Sequence, residues 1–390
     1  MSRLRIRPVF WLLLLYVILA TAAALQAWTL TRKMPEQDGP GITKYNNYII
    51  FRNSFDHLTE GKNLYCAYPE EHWDLFKYSP TFALAFGLFR GLPDLPGLAL
   101  WNLLNALLFF VAIRQLPGMD DKKKALILLL CVADAMTSLQ NSQSNLLVAG
   151  LILQGFNFFE KGKPVAATLC LVSTFYIKIF GLAALALLLF YPRKWKSVAW
   201  AAAWFVLLLM VPLPVTGFGG LAAQYGHYLE MLRNDHAASV GLSVMGWLKT
   251  WFGIGVSQVL LALAGFGLLC VPLLGPGRFD TLARRSLFLA GLMIWMVIFN
   301  HKAESPTFII ATSAIWLWFF TRKRTVLVYA AVILVFFLTS LAATDLWPRF
   351  IRSGFFEPWG IKVVPCIFVW ILIICDLFTP AGWTLKTTPK

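Results

Sequence analysis

Charge is scarce in this sequence. Of 390 residues only 14% are charged, 58% are hydrophobic, and the mean hydropathy is +0.67. Soluble domains carry about 25% charged residues. A soluble domain of this size cannot hide so much apolar surface, because much of any domain stays exposed. An ordinary soluble enzyme and a disordered chain are therefore excluded. Cysteine is also sparse. Five of the six (Cys131, Cys170, Cys270, Cys366, Cys375) lie in apolar stretches, where cysteine acts as a small hydrophobe, and only Cys66 sits in a polar loop. No disulfide framework or metal-ligand spacing follows, so no metal and no cofactor is expected. A phosphate-cradling glycine loop, a HExxH helix, a serine nucleophile elbow and a DxD pair are all missing, which removes nucleotide-driven chemistry.

What remains is a polytopic, all-α membrane protein. At roughly 20 residues per span, the chain accommodates about 11–13 transmembrane segments in one integral domain, 1–390, with no separate soluble domain. The net charge of +15 does not point to nucleic acid. Its basic residues fall in short runs between apolar stretches: Arg3/Arg5/Arg7, Lys122–Lys124, Lys161/Lys163, Arg193/Lys194/Lys196, Arg284/Arg285 and Arg322–Arg324. That is the pattern of loops on the inner side of a membrane.

Residues 30–80 form the longest polar stretch, with six basic and seven acidic residues. Lacking the positive bias, this loop is expected outside. Apolar residues at 45, 48, 49, 51, 55 and 58 predict a helix lying near the membrane surface. The charge pattern also places outside Gln140–Asn145, the tip at Lys178, residues 214–255, Asn300–Ser305 and Thr344–Gly360. The stretch 164–191, flanked by basic runs, must then enter and return as two short helices. The stretch 81–113 conflicts with this parity if counted as two spans, and the charge rule prefers a single net crossing.

Four constellations carry chemistry. The outer loop interleaves aromatics with amides and charges: Asn47, Arg52, His57, Tyr65, Lys77 and Tyr78. Sugars stack on aromatics and hydrogen-bond to amides, so this reads as a sugar or lipid-headgroup site; a solvated loop with an interfacial aromatic belt is the plainer reading. Gln140, Asn141, Gln143 and Asn145 place four carboxamides in six residues. That exceeds the need of a turn, although Ser144 or Asn145 is also expected to cap the next helix. His301, Lys302 and Glu304 sit in a turn between apolar segments, where ionisable groups are costly and usually functional; mutual neutralisation of Lys302 and Glu304 is the alternative. Lys178 stands alone among apolar residues and suits a lipid phosphate, or else snorkels to the interface. Asp134, Asp235, His236 and Asp345 are weaker candidates.

These residues resemble the integral-membrane GT-C glycosyltransferases, and most of all glycosyltransferase family 87, the mannosyltransferase-like group. The outer-loop pattern of that family is matched by Asn47-Tyr48…Phe51…Gly61…Tyr65 and then Tyr78-Ser-Pro80. Its Gly-Gln-x-Asn is matched by Ser142-Gln143-Ser144-Asn145, with serine replacing glycine. A small-residue helix ending in lysine corresponds to 164–178. A further loop looks like Ser243…Gly246…Lys249, and an outer turn bearing histidine resembles that at His301.

The resemblance implies a GT-C-like bundle at a cell inner (plasma) membrane. It implies an inverting hexosyltransferase that moves a mannose-like hexose from a polyprenyl-phosphate donor to a glycolipid or cell-envelope glycan. A transporter or flippase of lipid-linked sugars, or a non-catalytic relative that binds them, is the alternative. The implied partners are the donor, the acceptor and membrane lipids, not nucleic acid. One departure stands out: the family's loop aspartate, taken as general base, is Asn47 here. Asp56 lies nine residues on, about 900° around a helix and so on the opposite face. The base is therefore expected among Glu304, with His301 beside it, and Asp345, while Lys178 with Arg52 or Lys302 would stabilise the departing phosphate.

Overall fold

The computed structural model describes residues 8–31, 43–192, 194–234, 241–274 and 279–379; their regular secondary structure is helical, with no strand among them. Asp235 and His236 lie outside the described residues. Three described helices are long and apolar enough to cross a membrane: Pro8–Thr31, Asp94–Arg114 and Ile361–Phe378. Lys194–Met210 and Leu213–Asn234 form a pair bent by 93°. Pro212 and Pro214 and the non-helical Gly217 (φ 66°, ψ 171°) account for the break, since proline removes a helical donor and clashes with the preceding turn. The remaining apolar helices run 10–17 residues, too short to cross alone. The protein is thus an all-α, multi-pass membrane protein whose described residues hold three full-length spans, one bent pair and a set of shorter apolar helices.

The chain divides into two compact units, each assembled from three stretches of sequence. The first holds 1–111, 138–185 and 195–238; the second holds 112–137, 186–194 and 239–390.

In the first unit, Pro8–Thr31 buries Leu12, Tyr16, Ala20, Ala23, Ala24 and Ala27. Their three- and four-residue spacing makes one stripe, and the alanines let a neighbouring helix approach closely. The expected surface helix exists as Asn46–Thr59. Phe51 is its anchor, in edge contact with Tyr78, Phe82, Phe86 and Trp101.

The conflict over 81–113 is settled by geometry. Pro80–Ala85 is a helix of six residues, started by Ser79, whose hydroxyl accepts from the Phe82 amide, and by Pro80 at its first position. A 3₁₀ turn, Phe86–Phe89, follows, and the chain then returns to the helix it left: Arg90 pairs with Asp56, and Asp94 pairs with Arg52 and accepts from the Tyr45 hydroxyl. Gly97 permits this return, because a β-carbon there would lie 1.9 Å from the Tyr48 hydroxyl. Residues 80–92 therefore begin and end beside the outer-loop helix, and Asp94–Arg114 makes the one crossing.

In the second unit, Leu282–Ile298, Phe308–Thr321 and Val364–Phe378 pack on one another through fully buried aliphatic and aromatic side chains. Their basic ends meet. Arg284 donates to the Asp376 and Leu377 carbonyls at 3.1 and 2.8 Å, and Arg322 pairs with the buried Asp376 carboxylate at 2.8 Å. Trp318 donates to the same carboxylate at 3.1 Å. Arg285 lies 5.6 Å from the Tyr191 ring, and Leu282 fills the space beside Gly118. The runs at 284–285 and 322–324 and the segments flanking Lys194 and Lys122 thus gather at one end of the second unit, as one-sided basic loops require.

The expected span at 125–139 is two helices, Asp121–Leu130 and Val132–Gln140, joined at Cys131. That at 325–342 is Val326–Val335 continued by a π turn, Phe336–Ser340.

Candidate functional site

Three constellations far apart in sequence come together in the first unit. Asn47, in the first turn of Asn46–Thr59, donates its amide to the Asn141 carbonyl at 2.9 Å. Tyr78 meets the Ser144 hydroxyl at 3.4 Å. Lys178 donates to the Asn145 side-chain oxygen at 2.8 Å and lies 5.9 Å from the Tyr78 ring. Gln140 donates to Gln26 at 2.7 Å, and Asn145 donates to Gln143 at 2.6 Å. The outer loop, the carboxamide turn and the lone lysine form one hydrogen-bonded floor.

Lys178 reaches that position because the helix Pro164–Ile177 stops at it. Its backbone is extended (φ −141°, ψ 124°), and a 3₁₀ helix, Ile179–Phe190, carries the chain away. A helix break directs the ammonium sideways rather than along an apolar face, which bears out the expected pair of short helices.

The 140–145 turn is not the helix cap expected of it. Ser144 occupies the N-cap position of Asn145–Glu160 but makes no capping hydrogen bond, and Asn145 is turned towards Gln143 and Lys178. Ser144 is drawn to Tyr78 and Asn145 to Lys178, both remote in sequence. The turn itself is strained: Ser142 has φ 52°, and no other described residue except glycine has a positive φ. Glycine stands at that position in the motif this turn resembles, and the backbone shows why. Trp101 holds the turn by donating to the Ser142 carbonyl at 2.8 Å.

Around the floor, the other outer-loop candidates already have partners. Arg52 is bound to Asp94, so its charge is shared. Lys77 pairs with Asp74 at 3.1 Å. His57 is buried and lies 3.0 Å from Glu71, which also accepts from Asn53 at 2.9 Å. Tyr65 donates to the Tyr78 carbonyl at 2.9 Å and packs on Tyr228. Burial and the neighbouring Asp94 carboxylate push the Tyr45 phenol well above its usual range, and burial pushes Tyr48 up to about 12, so both stay neutral. An open cleft of about 410 Å³ lies at the start of this helix, lined by Thr43, Lys44, Asn46, Asn47, Trp73 and Asn141.

The second unit holds the other candidates. Residues 300–303 form a tight turn in which the Ala303 amide donates to the Asn300 carbonyl at 2.9 Å and the Lys302 amide to the Asn300 side chain at 3.0 Å. Leu242 donates to the Ala303 carbonyl at 2.9 Å, and the φ +52° of Gly241 brings the backbone so close that a β-carbon would lie 2.6 Å from the His301 carbonyl. The turn and the helix Val244–Phe252, capped by Ser243, are thus one assembly. Glu304 is exposed. Asp345 is exposed too and pairs with Arg352 at 2.9 Å.

Sequence reasoning missed two residues, the first being Lys362, the partner of Asp134. Asp134 is fully buried, and its counter-charge is Lys362, also buried, at 3.8 Å. Trp73, at the edge of the cleft, was the other.

No described group of three or more histidine, cysteine or carboxylate side chains is arranged to hold a metal ion. No curated protein matches the chain. Among solved structures, the crystal structure of ArnT from Cupriavidus metallidurans bound to undecaprenyl phosphate aligns with 95% of this chain and 78% of its own, at 14% identity and a TM-score of 0.44. That likeness is too slight to carry an argument. The family model for glycosyltransferase family 87 matches residues 76–315, well over half of the chain and inclusive of the carboxamide turn, Lys178 and the 300–305 turn. The chain belongs to glycosyltransferase family 87, and it is a membrane glycosyltransferase.

Proposed function

We propose that the protein transfers a mannose-like hexose, with inversion, from a polyprenyl-phosphate donor to a glycolipid or cell-envelope glycan on the outer face of a cell inner membrane. The carrying observation is the convergence of the outer loop, the carboxamide turn and Lys178 in a member of a glycosyltransferase family. In the reaction, an acceptor hydroxyl oxygen attacks the anomeric carbon. The bond from that carbon to the phosphate oxygen breaks, its electron pair stays on the phosphate, and the acceptor's proton passes to a base.

Lys178 is assigned to the phosphate. It is presented by a helix break, and a charge-assisted contact there is worth about 1.5–3 kcal/mol. Arg52 is a poorer candidate because Asp94 already holds it. Lys302 is the second cation of the proposal. The base cannot be Asn47, whose amide has no basic oxygen and is engaged by Asn141. Glu304 is assigned that role as the exposed carboxylate of the 300–305 turn, with His301 as its neighbour and Asp345 as the fallback.

The test incubates purified protein with polyprenyl-phosphate mannose and glucose and scores donor consumption. Turnover lost in Glu304→Gln, with stability and donor binding retained, is the expected result. A stable, fully active Glu304→Gln protein removes Glu304 from the mechanism and directs the search to Asp345→Asn. A second reading, binding of a lipid-linked sugar without transfer, is favoured by Asn47 alone. Donor bound but never consumed by the wild type would establish it over transfer.

A further inference from the structure

We propose that the cleft lined by Thr43, Lys44, Asn46, Asn47, Trp73 and Asn141 is the subsite for the acceptor saccharide, with a pyranose ring stacked on Trp73. The inference rests on the transferase reading above and adds the chemical class and place of the acceptor.

Trp73 is 64% exposed although its backbone is fixed, its amide donating to the Asn46 side chain at 3.2 Å. The segment carrying it is clamped to the same helix by Glu71, held by Asn53 and His57. A rigid backbone with an uncovered indole is a preformed stacking face. Such a face binds the C–H side of a pyranose at little cost in ordering.

The rest of the lining is hydrogen-bonding chemistry. Thr43 has a buried hydroxyl with no partner among the described residues, a donor and acceptor left for a ligand. Asn47 spends one amide hydrogen on Asn141, while its carbonyl oxygen remains an acceptor. No carboxylate lines the cleft. Amides, a hydroxyl, the Lys44 ammonium and an indole suit sugar hydroxyls, which both donate and accept.

The carboxamide turn orders the two substrates. Asn141, at its start, lines the cleft; Asn145, at its end, holds Lys178. An acceptor in the cleft and a donor phosphate at Lys178 would therefore flank the same turn of six residues. Trp73 lies just before the segment matched by the family model, residues 76–315.

The experiment is saturation-transfer NMR on the purified full-length protein in detergent, with methyl α-D-mannopyranoside, methyl α-D-glucopyranoside and methyl β-D-galactopyranoside as probes. Detergent removes the bilayer, so an indole that merely anchors the loop at the interface gives no signal. We expect ring-proton saturation from at least one glycoside. Trp73→Ala should weaken it about tenfold and Trp73→Tyr should stay within about threefold, because tyrosine keeps a stacking face. Trp195→Ala, an exposed indole on another helix, should change nothing. Absence of saturation with every probe, or saturation unaltered in Trp73→Ala, overturns the subsite. Donor consumption is scored separately and tests the transferase reading alone. Saturation that depends on Trp73 supports the subsite whether or not a donor is consumed.

Discussion

The two units handle polarity in opposite ways. In the first, the polar groups beside the cleft are mostly neutral amides, hydroxyls and backbone carbonyls that answer one another across long sequence separations, as Asn47 does Asn141 and Tyr78 does Ser144. In the second, charges are buried in the helix bundle itself: Asp134 with Lys362, and Asp376 with Arg322. Neutral networks can exchange an internal partner for a substrate hydroxyl at small cost. Buried ions cannot, since each depends on its counter-charge. The first unit is therefore built for binding, and the buried ions of the second are built for holding helices together.

The sharpest test of that contrast is the Asp134–Lys362 pair. Neither carboxylate oxygen has a hydrogen-bond partner, and the ammonium has only the ion at 3.8 Å and the Phe308 ring at 5.2 Å. Lys362→Met alone leaves a buried, uncompensated carboxylate and should cost about 3–5 kcal/mol. The double variant Asp134→Leu with Lys362→Met should recover most of the loss. Thermal unfolding in detergent measures both. A single variant as stable as wild type would show that the pair is not what holds this part of the bundle.

The next largest effect belongs to the first unit and should spare stability. Lys178→Met keeps the stem and removes the charge. Affinity for a polyprenyl-phosphate sugar should fall by about 1.5–3 kcal/mol, while the melting temperature moves little because the lysine is only partly buried. A large fall in melting temperature with donor affinity unchanged would make Lys178 a buried structural ion like those of the second unit.

How much of this was legible beforehand differs between the units for the same reason. The helix at Asn46–Thr59, the break at Lys178 and the polar character of 140–145 follow from periodicity and composition, which are local properties. Their convergence is not local: nothing in the residues of the 140–145 turn says that Asn141 meets Asn47 or that Asn145 meets Lys178. The capping role expected of Ser144 failed because tertiary partners outcompeted a local one. Asp134 was visible as a buried acid, but Lys362, 228 residues away, had no local mark as its partner. Labelling tests the outward placement of 30–80. Native Cys66 is exposed there. An impermeant maleimide should label Cys66 in intact cells, and labelling only after permeabilisation would reverse the topology.

A smaller effect tests whether the floor tolerates its own strain. Ser142 holds a left-handed backbone with its hydroxyl buried and unpartnered. Ser142→Gly removes both penalties and should raise stability by about 1 kcal/mol. Asn47→Asp should act in the other direction, because a carboxylate cannot donate to the Asn141 carbonyl and would face it at close range. It should loosen the turn rather than restore a general base. Higher turnover in Asn47→Asp than in wild type would contradict this.

The smallest effect is a pH dependence confined to the segment that carries Trp73. His72 is buried and its ring meets the Asp74 carbonyl at 2.7 Å. Burial holds its pKa below the usual 6.5, against the opposing pull of the Asp74 carbonyl and the Glu71 and Asp74 carboxylates; His57 nearby adds to the lowering. The folded segment therefore keeps His72 neutral at a pH where the unfolded segment has taken up a proton. The unfolded state binds more protons, so stability rises with pH in that window. It is fully present above about 7 and declines as pH falls through the ordinary histidine range towards the lowered value. Amide exchange across residues 68–75, corrected for its intrinsic pH dependence, should be faster at about pH 5.5 than at pH 7.5, and His72→Gln should abolish the difference. The buried ions at Asp134 and Asp376 belong to the other unit, so exchange in Phe308–Thr321 should not follow the same curve. If both segments loosened together on acidification, the two units would be unfolding as one, and the division of labour between a binding floor and an ion-locked bundle would have no energetic counterpart.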